Sequence, residues 1–298
     1  MWSKRSDGRQ FKQSADYTRS FGLQWNRYRR VQIDCYNGTT LSHDRLFGGT
    51  GWRPEELRGQ KILEVGCGAG RFTQVLLDAD AEVYAIDSST AVYACRQNNA
   101  PHPRLHMIQA DLYALPFRNE VFDRIFCYGV LQHTPDVKRA FLSLIPFLKK
   151  GGVIAIDVYH KRTGLDRIGR WESKRLWRPL TTRLPPLLLA RIVEWYVPRW
   201  LPIDTRLERI PLIGRLLVSF IPCWNYHGRF PLTQEQLTEW AILDTFDALA
   251  TRYDSPQRIE DVRGWFEEAG FTDIDVRFSG NGIVGDAKKP AAGTGVGR

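Results

Sequence analysis

The five cysteines of this 298-residue chain, Cys35, Cys67, Cys95, Cys127 and Cys223, are odd in number and contain no C-x-x-C pair. That argues against a disulfide framework and against a zinc cluster, so no metal is expected and a reducing, cytoplasmic setting is. The chain also lacks any run of about 18 uncharged apolar residues, which excludes a spanning helix. Its first residues are polar and basic with no apolar core, so no signal peptide is expected. Acidic charge is scarce in two places. Residues 160–230 hold 14 Lys/Arg against 5 Asp/Glu, a difference that alone equals the chain's net charge of +9, and residues 1–30 hold 8 against 2. A cationic face of this kind favours nucleic acid, an anionic membrane surface or a phosphorylated substrate; the plainer alternative is solubility.

What is present is an ordinary globular composition, 43% hydrophobic and 25% charged. Residues 1–15 are polar and expected to be disordered, as is the Gly/Ala-rich tail beyond 288. Phe21, Trp25 and Tyr28 stand at helical spacing and predict an aromatic stripe packing on the main domain. Pro54, Glu55 and Glu56 predict a short helix closed by Gly59. Strands are then predicted at 61–65, 82–86, 105–109, 123–128 and 153–159, with helices between them, including 71–80 and one that runs on to 148 with a kink at Pro146. That alternation means a parallel, doubly wound sheet. It stops for nearly a hundred residues rich in Leu, Trp, Pro and Arg, with Trp171, Trp177, Trp195, Trp200 and Trp224 among them. It resumes with a helix expected to be capped at Ser255, with Pro256 in its first turn, running to 269. Strands at 271–278 and 282–287 follow, the last expected to be antiparallel.

The first strand runs into Glu64-Val65-Gly66-Cys67-Gly68-Ala69-Gly70-Arg71. Glycines at 66, 68 and 70 permit a tight turn with close backbone approach to a ligand, and the following helix points its N-terminal amides there. A dinucleotide fingerprint would place its third glycine at 71, where this chain has arginine. Glu64 would gain a phosphate site nothing and suits a ligand bearing a cation. Asp87 ends the second strand, able to accept two ribose hydroxyls, and Asp111 ends the third, able to accept from an exocyclic amine. Three acids at successive strand ends, with no lysine in the turn, describe a pocket for an adenosine that carries positive charge and no phosphate.

In these residues the sequence resembles the class I S-adenosylmethionine-dependent methyltransferases. Glu64–Gly70 resembles their first motif and Ala85-Ile86-Asp87-Ser88-Ser89 the second. Ala110-Asp111-Leu112 with Leu115-Pro116-Phe117 resembles the third, Phe122–Ile125 with Gly129–Thr134 the fourth, and Leu148–Gly152 the turn before strand five. The match spans about 55–160 and resumes at 250–287. It implies a Rossmann-like α/β fold, a doubly wound seven-stranded sheet of order 3-2-1-4-5-7-6 with a large helical lid inserted after strand five. The domains follow: a basic, aromatic extension at 1–54, the cofactor domain at 55–160 and 246–288, the lid at 161–245 and a tail at 289–298.

The resemblance further implies S-adenosylmethionine as cofactor and S-adenosylhomocysteine as product. Gly66 and Gly68 would pass under the methionine part, Cys67 and Gly70 would belong to the same cofactor site, and Glu64 would face the ammonium directly or through water. Asp87 and Ser88 would take the ribose, Asp111 and Leu112 would read the adenine, and Tyr128 and Gly129 would complete the site. An in-line methyl transfer needs a base only if the nucleophile arrives protonated. His133, His227 and Tyr253 are the candidates, each with a packing role as the plain alternative. No Asn/Asp-Pro-Pro-Tyr/Phe or Pro-Cys sequence follows strand four, which points away from base methylation and towards a small-molecule, sugar or lipid-linked acceptor, with a hydroxyl as the expected target. The segments 184–200 and 210–224 suit either a soluble lid or helices lying on an anionic membrane surface. The lid and the Asp244–Asp247 and Tyr253–Gln257 stretches resemble enzymes of bacterial glycan and natural-product pathways. A tRNA methyltransferase using the basic insert, and a non-catalytic cofactor-binding module, are the competing expectations.

Overall fold

In the computed structural model, the described residues are 17–163, 170–210, 213–218 and 220–291. The stretches expected to be disordered at 1–15 and beyond 291, and the Trp171 side chain, lie outside them. A seven-stranded sheet has the order β3-β2-β1-β4-β5-β7-β6. Its strands are β1 (Lys61–Val65), β2 (Glu82–Asp87), β3 (Leu105–Gln109), β4 (Phe122–Cys127), β5 (Leu148–Val158), β6 (Thr272–Ser279) and β7 (Gly282–Lys288). The first five are parallel, and β7 runs antiparallel between β5 and β6. Strand order therefore reverses between β1 and β4, and the crevice at their carboxyl ends is where such sheets bind ligands.

Helices α1 (Arg19–Arg27), α2 (Asp34–Asn37), α3 (Leu41–Thr50) and α4 (Pro54–Leu57) precede the sheet. Helices α5 (Arg71–Asp78), α6 (Ala91–Asn99) and α7 (Val137–Leu144) connect its strands. Two apolar layers form, because the sheet strands are apolar on both faces. One gathers Leu63, Ile125, Phe141, Phe266 and Ile283; the other gathers Leu46, Ile62, Leu76, Val83 and Phe126.

After β5 come α8 (Arg170–Thr181), α9 (Pro186–Leu207), α10 (Ile213–Val218) and α11 (Gln234–Ala250). The insert has its own apolar core, in which Leu189, Val193, Val197 and Leu201 of α9 meet Ala241, Phe246 and Leu249 of α11. The capping box at the start of α11 pairs Thr233 with Gln236, satisfying two amides reciprocally. Helix α11 runs through 245 to Ala250, past the expected edge of the insert.

Three local expectations are corrected. The helix expected to reach 148 ends at Leu144, because Pro146 lacks an amide proton; one 3-10 turn follows, and β5 starts at Leu148 by pairing with Phe122. No helix starts at Ser255. The Ser255 amide donates to the Gln132 carbonyl at 2.9 Å and that of Gln257 to the Tyr159 carbonyl at 2.8 Å, so the segment is tied to the end of β5 and α12 (Ile259–Glu268) begins later. Lys289 was expected in the tail, yet its amide donates to the Gly152 carbonyl at 2.8 Å and extends the β7 pairing.

Candidate functional site

A cavity of about 660 Å³ opens at the carboxyl ends of β1, β2, β4 and β5, and the insert and the N-terminal segment wall it in. Its floor is the glycine turn. Gly66 and Gly68 have φ of +72° and +54°, a left-handed backbone that favours glycine. A Cβ on Gly66 would stand 2.3 Å from Val130 Cγ2, and one on Gly68 would stand 3.1 Å from the Trp25 ring. Bare backbone is therefore required where the chain faces the cavity.

Asp87 lies at the end of β2, on the wall. Its Oδ2 accepts from the Gly68 amide at 3.1 Å, and its Oδ1 accepts from the Ser89 amide and hydroxyl at 2.8 and 2.7 Å. Burial pushes its carboxyl up, against these hydrogen bonds, which favour the charged form. Cys67, Ser88, Leu112, Tyr128 and Gly129 also line the cavity. Burial raises the Tyr128 phenol, and its buried hydroxyl has no protein partner. The Gly129 amide donates to Asp157 Oδ1, while Arg45 Nη2 of α3 donates to Asp157 Oδ2 at 2.6 Å.

Three expected cofactor residues lie off the wall. Glu64, expected to face an ammonium directly or through water, is buried beneath the turn, where Thr73 Oγ1 donates to its Oε2 at 2.5 Å. Its Oε1 is buried without a protein partner, and burial holds its carboxyl well above the ordinary range. Gly70 serves helix packing: a Cβ there would lie 2.2 Å from Asn99 Nδ2 and 2.8 Å from Cys95 Sγ of α6. Asp111 is buried, and its Oδ1 accepts from the Tyr113 amide at 3.0 Å as the cap of a short 3-10 turn.

The three candidate bases separate. His133 is buried on the wall, with Nδ1 3.1 Å from the Tyr253 carbonyl oxygen and Nε2 4.0 Å from Asp247 Oδ2. A carbonyl can only accept, so Nδ1 carries the proton and Nε2 keeps its lone pair when the ring is neutral. Tyr253 contributes that carbonyl; its ring stacks edge-on against Tyr17, 5.3 Å away, and does not line the cavity. His227 is exposed. Its amide donates to Asn225 Oδ1 at 2.9 Å in a turn that ends at Gly228 (φ +73°), so Tyr226 points inward and His227 outward.

Several further residues of the wall come from α1 and the insert. From α1, Phe21 packs 5.4 Å from the His133 ring, and Gln24 donates to Asp247 Oδ1 at 2.9 Å. Of the aromatic stripe expected to pack on the main domain, Phe21 and Trp25 also line the cavity, while Tyr28 packs in a small core with Trp240 and Leu243. Lys174 of α8 pairs with Asp254 at 2.6 Å, both side chains more than nine-tenths buried. Burial alone would raise the Asp254 carboxyl; Lys174 overrides it and holds the group below its ordinary value. Among the described residues no cluster of His, Cys, Asp and Glu could hold a metal, and none of the cysteines is in a disulfide.

The sheet order and the cavity at its carboxyl ends define a Rossmann-like domain, with a bare glycine turn and an acid at the end of β2 facing that cavity. A family model described as a methyltransferase domain matches residues 63–156, and this segment is a class I S-adenosylmethionine-dependent methyltransferase domain. The chain is 31% identical over 107 residues to the ubiquinone biosynthesis O-methyltransferase of Coxiella burnetii, covering 35% of this chain and 46% of that protein. It is 33% identical over 129 residues to the malonyl-[acyl-carrier protein] O-methyltransferase of Pseudescherichia vulneris, covering 43% and 48%. With the tRNA U34 carboxymethyltransferase of Pseudomonas paraeruginosa it shares 36% over 107 residues, 34% of this chain and 33% of that one. The chain thus spans about half the length of these relatives or less. The magnesium protoporphyrin IX methyltransferase of Synechocystis PCC 6803, solved with bound S-adenosylhomocysteine, aligns over 92% of this chain and 95% of its own at 16% identity, with a TM-score of 0.49.

Proposed function

We propose that the chain transfers the methyl group of S-adenosylmethionine to a hydroxyl of a small-molecule, sugar or lipid-linked acceptor held in this cavity. Asp87 would hold the ribose hydroxyls, Leu112 would bound the adenine, and the bare α-carbons of Gly66 and Gly68 would let the methionine part lie close against the turn. When bound, the cofactor supplies a methyl on a positively charged sulfur, open to attack by a lone pair. Charge disperses in such a step, so the chain's contribution is positioning and exclusion of water by α1 and the insert.

His133 carries the O-methylation reading. Its Nδ1–H is committed to the Tyr253 carbonyl, which leaves Nε2 to take a hydroxyl proton, and Asp247 stands 4.0 Å away to steady the imidazolium. The test is a screen of sugar nucleotides, glycolipids, small phenols and tRNA with labelled cofactor. The reading expects label on a hydroxyl of a small or lipid-linked acceptor; label on tRNA alone would refute it.

A membrane-side location has its own support. On α9, Leu188, Ile192, Trp195, Arg199 and Ile203 form an exposed stripe, opposite the buried stripe of Leu189, Val193, Val197 and Leu201. Leu176 and Leu180 of α8 and Leu216, Leu217 and Phe220 are exposed as well. Arg175, Arg183, Arg191, Arg206 and Arg209 of the same segment are exposed, with Glu208 as the exposed acid among them, whereas Glu194 is bound to Arg27 and Tyr28 and Asp204 is buried. Apolar and aromatic residues in a segment with exposed arginines suit an anionic lipid surface better than a bare phosphate backbone. No helix among the described residues is long and apolar enough to cross a membrane. Flotation with anionic liposomes should carry the chain, and Trp195→Glu should abolish it; failure of the wild type to float would leave the insert a lid only.

A further inference from the structure

Arg71, the first residue of α5, is 9% exposed and lines the cavity. Its Nε donates to Ser42 Oγ at 3.1 Å and its Nη1 to Gln32 Oε1 at 2.7 Å, both neutral groups. No carboxylate among the described residues is at ion-pairing distance from it. The nearby acids are engaged elsewhere. Asp34 accepts from the Ser42 and His43 amides at 2.9 to 3.0 Å. Asp244 accepts from Trp240 Nε1 at 3.0 Å and from the Tyr226 hydroxyl, and Asp157 holds Arg45. Burial and the proximity of Arg45 push the Arg71 guanidinium down to about 9. Asp34 and Asp244 favour its charge only from beyond contact; a buried cation that no carboxylate touches is costly, and an anionic ligand in contact would lower that cost.

The surroundings indicate which ligand. Arg71 Cζ lies 5.8 Å from the Trp240 ring. That ring packs against Phe230 and Tyr226 at centroid distances of 5.1 and 5.9 Å, and all three rings line the cavity. These rings belong to segments beyond residue 220, whereas the adenosine end is marked by Asp87 and Leu112. Arg45 and Arg229 line the same cavity.

We propose that Arg71 is the anchor of an anion subsite that holds a carboxylate or phosphate group of the acceptor, whose body lies against Trp240, Phe230 and Tyr226. The acceptor is therefore acidic, and Arg71 sets specificity by forked hydrogen bonds of a kind a lysine cannot copy. This rests on reading the cavity as the methyltransferase site. The cofactor's own amino-acid carboxylate is the rival source of the same chemistry, and the experiment separates the two.

Thermal unfolding and calorimetry of the intact chain would use inorganic phosphate as probe, with and without saturating S-adenosylhomocysteine. Phosphate should raise the wild-type midpoint in both states. Arg71→Gln should weaken the half-saturating phosphate at least tenfold and leave S-adenosylhomocysteine affinity within twofold, with Arg71→Lys in between for phosphate. No effect of phosphate on the wild type would overturn the proposal. So would exclusion of phosphate by S-adenosylhomocysteine, or a tenfold loss of S-adenosylhomocysteine affinity in Arg71→Gln, since either gives the arginine to the cofactor. The wild-type competition does not depend on the variants' folding. Wild-type protein that binds phosphate but not S-adenosylhomocysteine would instead sink the methyltransferase reading, so the two failures are distinguishable.

Discussion

Replacing Gly66 by alanine perturbs the floor of the cavity in two separable ways. Its φ of +72° is left-handed, which costs an L-residue about 1–2 kcal/mol. The new Cβ would also stand 2.3 Å from Val130 Cγ2, 3.2 Å from its Cγ1 and 3.3 Å from its Cβ, and overpacking of that kind costs about 1–3 kcal/mol. Together they predict a loss of about 2–5 kcal/mol, a large part of the roughly 5–15 kcal/mol available to a typical domain. Urea unfolding of the wild type, Gly66→Ala, Val130→Ala and the double variant measures both parts. Val130→Ala removes the two nearest atoms, so the double variant should recover the steric share and keep the backbone share. The coupling should come out at about 1–3 kcal/mol. A Gly66→Ala protein as stable as the wild type would rule out both costs, and one that Val130→Ala does not help would rule out the steric one.

Burial pushes the Asp244 carboxyl up to about 6, from an ordinary 3.8; although its surface is partly open, it faces the cavity and not bulk water. The folded state therefore binds the proton more tightly than the unfolded one. Stability should fall as pH rises from about 4 to about 6, by up to about 3 kcal/mol from this group. Midpoints measured from pH 4 to 7 should show that fall flattened in Asp244→Asn; parallel curves would count against it. His133→Gln should lower turnover on a hydroxyl acceptor by about 10²–10⁴-fold. Its S-adenosylhomocysteine affinity by calorimetry should stay unchanged, and a loss of turnover under tenfold would make His133 a packing residue.

The strands were legible in the sequence from their alternation with helices and the glycine and proline punctuation, and the order β3-β2-β1-β4-β5-β7-β6 with β7 antiparallel is the one the family resemblance implies. Local signals failed where distant partners took the same groups. Ser255 and Pro256 look like a helix start, but the amides of Ser255 and Gln257 go to carbonyls of Gln132 and Tyr159. Glu64 was read from its place in the motif, while its burial beside Thr73 depends on how α5 closes over the turn. The pairs that complete the cavity join residues far apart in the chain: Arg45 with Asp157, Gln24 with Asp247, and Lys174 with Asp254. No spacing rule within a single segment announces such a pair.

Whether the glycine turn and Asp87 hold S-adenosylmethionine in this cavity is decided by titrating S-adenosylhomocysteine into the wild type and into Asp87→Asn and Asp87→Ala. One site per chain is expected in the wild type. Charged hydrogen bonds at about 1.5–3 kcal/mol each imply a weakening of roughly ten- to a hundredfold or more in both variants. A wild type that does not bind, or variants that bind as tightly as the wild type, would contradict this binding mode.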